Sequence, residues 1–139
     1  VTAFGALNQA VLYSDNCFGE NSDGLFHVGL GADGSGSDAI ALELSAPLNQ
    51  GHGSGYRLRF FASHGETGGA TSTNVLIGVS SQPTQFGTLI GESGQLGDVP
   101  VEYELLITDI GSTYITVQVE EDGDLGWAMI DAFQLEPVE

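Results

Sequence analysis

The chain has 139 residues, 19 of them acidic and only two basic, Arg57 and Arg59, which gives a formal charge of -17. That length can bury roughly two thirds of the unfolded surface in one core, so a single domain over residues 1–139 is expected. One sign of charge over the whole surface excludes nucleic acid and anionic membranes as partners, and no apolar run approaches the roughly 18 residues of a membrane-spanning helix, so no membrane insertion is expected.

With charged residues at 15% and 21 glycines, the rest of the surface must be largely Gly, Ser, Thr, Asn and Gln, which suits a secreted or cell-surface protein better than a salt-adapted cytosolic enzyme. The start at Val1, without Met or an apolar leader, fits a mature product whose signal has been removed. Cys17 is alone, so an intrachain disulfide is excluded; it reads as a small buried hydrophobe, with an intermolecular bridge as the alternative.

The hydrophobic period is two almost throughout, and no window carries an apolar stripe at helical spacing, so the chain reads as all-β. A first strand is expected over Ala3–Tyr13, a stretch that is apolar, uncharged and poor in glycine, and a second over Leu25–Leu30. Gly31–Asp38 reads as a link. Its run Asp33-Gly-Ser-Gly-Ser-Asp38 crowds carboxylates and carbonyls as calcium prefers, but Leu44 stands where an EF-hand needs Glu, and a solvated turn is the plainer use. In Ala39–Ser45 the alternation turns Ile40, Leu42 and Leu44 inward and Ala39, Ala41 and Glu43 outward.

Tyr56–Ser63 holds both basic side chains. Tyr56, Leu58, Phe60 and Ala62 form its core face, and Arg57, Arg59, Phe61 and Ser63 the other. Glu102, Glu104 and Glu43 are the candidate partners for the arginines, either as cross-strand ion pairs that fix register or as part of a ligand clamp. Strands follow over Asn74–Ser80, Thr88–Glu92, Val101–Thr108 and Thr113–Glu120. Tyr103, Leu105 and Ile107 face inward, as do Ile115, Val117 and Val119, while Leu106 breaks the pattern and is expected under a loop. The run Glu120-Glu-Asp122-Gly-Asp124 is a second cation candidate that also suits a turn. In the last strand, Gly126–Glu136, alternation sets Asp131 on one face with Trp127, Met129, Phe133 and Leu135; a carboxylate there must be paired, hydrogen-bonded or on a metal. Nine short strands joined by glycine-rich turns argue for an antiparallel two-sheet β-sandwich.

Three stretches carry a resemblance: Gly29-Leu30-Gly31 before an acidic Gly-rich loop, Ile40-Ala41-Leu42-Glu43-Leu44 with Ala46-Pro47-Leu48, and Gly55-Tyr56-Arg57-Leu58-Arg59-Phe60-Phe61-Ala62-Ser63. With the closing Met129-Ile130-Asp131-Ala132-Phe133-Gln134-Leu135, the chain resembles the carbohydrate-binding-module-like, galactose-binding-like jelly-roll domains of bacterial surface proteins and glycoside hydrolases. The resemblance implies a jelly roll, and a structural calcium ion bound in part by Asp131. It departs at the first strand, where such modules place a glutamate and Val1–Gln9 offers no acid.

Enzyme signatures are missing: Gly51-His-Gly-Ser-Gly55 has the wrong order for a nucleophile elbow, no phosphate loop or zinc spacing occurs, and His27, His52 and His64 are scattered. A non-catalytic module is therefore expected. One role is a structural or adhesive subunit that self-associates into a homopolymeric fibre or layer, with residues 1–13 and 134–139 as contact segments, because edge strands are templates for another chain. The alternative is glycan recognition, with Trp127, Tyr114 and Phe61 as stacking platforms and Arg57 and Arg59 as hydrogen-bond donors. Trp127 suits a rim platform or a plug at the end of the core equally well.

Overall fold

The computed structural model describes residues 2–5, 10–14, 26–33, 36–48, 55–64, 74–108, 111–120 and 126–138. These residues hold ten strands: β1 (Thr2–Gly5), β2 (Ala10–Ser14), β3 (Phe26–Asp33), β4 (Gly36–Glu43), β5 (Tyr56–Ser63), β6 (Asn74–Ser80), β7 (Thr88–Gln95), β8 (Val101–Ile107), β9 (Tyr114–Val119) and β10 (Gly126–Pro137). All pairings are antiparallel. Sheet I runs β1-β4-β9-β6-β7 and sheet II runs β2-β3-β10-β5-β8. The β3–β4 hairpin, paired through Ala32 with Ser37 and Asp33 with Gly36, passes the chain from one sheet to the other. On the opposite side the end strands β7 and β8 approach, with the Leu105 side chain against Gly91, so the sandwich is nearly closed.

Alternation builds the core as expected. Leu58, Phe60 and Ala62 of β5 meet Ile40 of β4, Val75, Ile77 and Val79 of β6, and Ile115, Val117 and Val119 of β9, all buried. Phe60 is fully enclosed and stacks between Tyr103 and Phe133, with ring centroids 5.6 and 5.3 Å away.

Five expectations need correction. Most of the link expected over Gly31–Asp38 is strand, since β3 runs to Asp33 and β4 starts at Gly36. Residues 3–13 do not form one strand. β1 joins sheet I and β2 joins sheet II. Gly5 ends β1 at a φ of 104°, with the Ser37 carbonyl oxygen 2.3 Å from where a side chain would begin, a position open only to glycine. Ala39 and Ala41 do point away from the main core, yet both are buried, because their small side chains accept Phe4, Phe86 and Tyr114 as a second apolar cluster on the outer side of sheet I. Leu106 is 53% exposed instead of lying under a loop. Finally, β10 is interrupted by a bulge between Asp131 and Gln134, with Ala132 at a φ of 54°. The extra residue reverses the facing, so Phe133 and Leu135 pack on the main core while Asp131 does not share their side.

Candidate functional site

The outer side of sheet II collects the polar chemistry. Residues directly opposite in an antiparallel pair share a face, and the register sets Arg59 opposite Glu104 on β8 and Gln134 on β10. Phe61 lies opposite Glu102 and Asp131, and Arg57 opposite Leu106 and Glu136. A half-buried phenyl ring therefore stands mid-face with a carboxylate on either flank and a guanidinium one strand repeat away.

Both arginines share one acid. Arg57 Nε lies 3.2 Å from Glu104 Oε1, and Arg59 Nε donates to Oε2 at 3.1 Å. The side chains are 39%, 31% and 51% exposed, so water screens the attraction and each pair contributes only about 0.2–1 kcal/mol. Their larger effect is orientation. The bridge holds two forked donors in place on the face. Of the partners expected from the sequence, Glu104 takes both arginines, Glu102 sits beside Phe61 instead, and Glu43 lies in sheet I opposite Tyr114.

The bulge completes the site. Asp131 Oδ1 accepts the Ala132 N–H at 2.8 Å, which holds the carboxylate at the turn of the bulge. Beyond it the reversed facing brings Gln134 out beside Arg59. Counted by twos, Gln134 falls on the side of Ala128 and Ile130, which in the structure is the core side, and no glycine or proline marks the bulge, so sequence reasoning missed this residue.

Trp127 is half-buried and lies outside the main core cluster. It stands opposite Gly31 on the outer side of sheet II, its ring 3.3 Å from where a Gly31 side chain would begin. Its carbonyl oxygen is 3.1 Å from His64 Nδ1. Trp127, Phe61, Arg57 and Arg59 thus share one face, whereas Tyr114 belongs to the apolar cluster on sheet I.

Of the acids proposed for calcium, only Asp38 and Asp131 have described side chains. Asp38 is buried and accepts the Gly31 N–H through Oδ2 at 3.0 Å; Asp131 lies four residues further along β10 from the Trp127–Gly31 step. Asp33 is paired with Gly36, and Asp122 and Asp124, like Cys17 and His52, fall outside the described residues. Among the described residues no three His, Cys, Asp or Glu side chains gather.

A different concavity, a cleft of about 390 Å³, opens at the end of sheet I between Ser80, Ser81, Gln85, Thr88 and Ser112. It offers hydroxyls and an amide, but no aromatic side chain lines it.

The fold is shared with carbohydrate-binding modules. TmCBM61, solved in complex with β-1,4-galactotriose, superposes with a TM-score of 0.57 at 20% identity, covering 98% of this chain and 87% of that one. The family 11 module of the cellulosomal cellulase Lic26A-Cel5E of Clostridium thermocellum gives 0.57 at 9% identity, covering 98% and 86%. The enzymatically active domain of tailspike protein 4 of bacteriophage CBA120 gives 0.51 at 14% identity, but this chain matches only 18% of it. No family model and no curated protein matches the sequence.

Proposed function

We propose that this chain is a non-catalytic, extracellular carbohydrate-binding module that holds a glycan on the outer face of sheet II. The observation that carries the reading is Phe61, a half-buried ring at mid-face ringed by Arg59, Glu102, Asp131 and Gln134. A pyranose presents apolar C–H groups on its faces and hydroxyls at its rim, which this arrangement matches: a ring to stack on, with guanidinium donors, carboxylate acceptors and an amide that does both. The fold supports the same reading, since its solved likenesses are mostly carbohydrate-binding modules.

Polymerisation gains no such support. Within the segments expected to dock on a neighbour, the described strands pair inside the chain: β1 with β4, β2 with β3, and Gln134–Pro137 with Tyr56–Arg59.

Affinity electrophoresis and calorimetry against β-1,4-galactan, mixed-linkage β-glucan and xylan test the proposal. At least one polymer should bind, and Phe61→Ala should weaken it about tenfold or more, as loss of a central aromatic contact does. Arg59→Ala, which removes no apolar packing from the core, guards against a merely unfolded variant and should weaken the same polymer. Absence of binding across the panel, or full binding by both variants, contradicts the proposal.

A further inference from the structure

We infer that Glu104 sets the charge selectivity of this face, so that the module takes uncharged glycans and rejects those carrying uronate groups; the inference rests on the glycan-binding reading above. Arg57 and Arg59 are the only cationic Lys or Arg side chains in the chain, and both direct Nε at the two oxygens of Glu104, at 3.2 and 3.1 Å. One carboxylate thus offsets half of the available positive charge. Register places Glu102, Asp131 and Glu136 on the same side, so the described face carries two guanidiniums against four carboxylates.

An anionic sugar approaching this surface meets a formal excess of negative charge locally and -17 over the whole chain. The repulsion acts over about 8–10 Å at ordinary ionic strength. A neutral sugar is not repelled. Its hydroxyls find donors and acceptors already oriented, because Glu104 restrains both arginines before ligand arrives and less side-chain freedom is lost on binding. Glu104 is therefore a positioning residue with a second effect, the quenching of the one cationic spot on the surface.

Glu104→Gln keeps the shape and one carbonyl acceptor but removes the charge, leaving two unquenched guanidiniums side by side. The test compares β-1,4-galactan and β-glucan, each beside the same polymer oxidised at C6 to the uronate, with wild type and Glu104→Gln at low salt and at about 0.3 M NaCl, where charge effects are largely screened. Thermal melts of both proteins check folding. Wild type should bind a neutral polymer about tenfold or more tightly than its oxidised form at low salt. Glu104→Gln should narrow that gap several-fold, and added salt should shrink the difference between the two proteins. Equal binding of neutral and oxidised polymer by wild type, or an unchanged gap in a folded Glu104→Gln, overturns the inference and leaves the glycan reading standing. Binding of neither form by wild type overturns the glycan reading and this inference with it.

Discussion

Ala132 is the residue on which the face depends. A left-handed conformation costs a residue with a side chain about 1–2 kcal/mol, and Ala132 holds a φ of 54° because β10 must stay in register with β5 on both sides of it. The strain has a structural return: Asp131 and Gln134 both reach the outer side while Phe133 and Leu135 enter the core. Glycine has no such penalty but loses about 0.5–1 kcal/mol more chain entropy on folding. Ala132→Gly is therefore expected to be neutral or up to about 1 kcal/mol more stable, and Ala132→Val clearly less stable, in urea denaturation. A large loss with glycine would contradict the left-handed assignment. This residue also marks a limit of legibility. Counting by twos grouped Asp131 with Phe133 and Leu135, and nothing local in Asp131-Ala132-Phe133 announces the extra residue, since the bulge is imposed by pairing across strands.

At the scale of elements, β5 and β6 fall at the bounds that alternation alone gives, and the inward sets of β8 and β9 match it too. Their signal is strong because one side is packed on the core and the other is polar. The first strands were harder to read. The run over residues 3–13 is uncharged and mostly apolar, and its signals for two strands are Gly5 and the polar pair Asn8-Gln9, which precedes β2 in the sequence. Composition makes Gly31–Asp38 read as a link, although Gly34-Ser35 between Asp33 and Gly36 is a two-residue hairpin signal in the sequence. Of the glycan candidates, four do lie on one side of sheet II. Tyr114 does not, because sequence cannot tell which sheet a strand joins. For β5 itself, Phe60→Ala removes a fully enclosed ring stacked on Tyr103 and Phe133, and should cost about 3–5 kcal/mol in chemical denaturation. A cost below about 1 kcal/mol would contradict the packing of sheet II on sheet I.

For the molecule as a whole, a charge of -17 on 139 residues means that the compact state works against its own repulsion. Salt screens exposed charges over the Debye length. The urea midpoint should therefore rise as NaCl is raised from low concentration to about 0.5 M, whereas a flat or falling midpoint would mean that the acids are offset locally. The same charge distribution makes the arginine-bearing side of sheet II unlike every other described surface, and places there the only Lys or Arg donors that a sugar could meet.

The most direct measurement is an amide NMR titration of the labelled protein with a soluble oligosaccharide of whichever polymer binds. Shift changes should concentrate on β5, β8 and β10, around Phe61, Arg59, Glu104, Asp131 and Gln134, and should leave the Ser80–Thr88 end of sheet I unmoved. Changes centred on that cleft or on the Tyr114 cluster, with sheet II silent, would contradict the account.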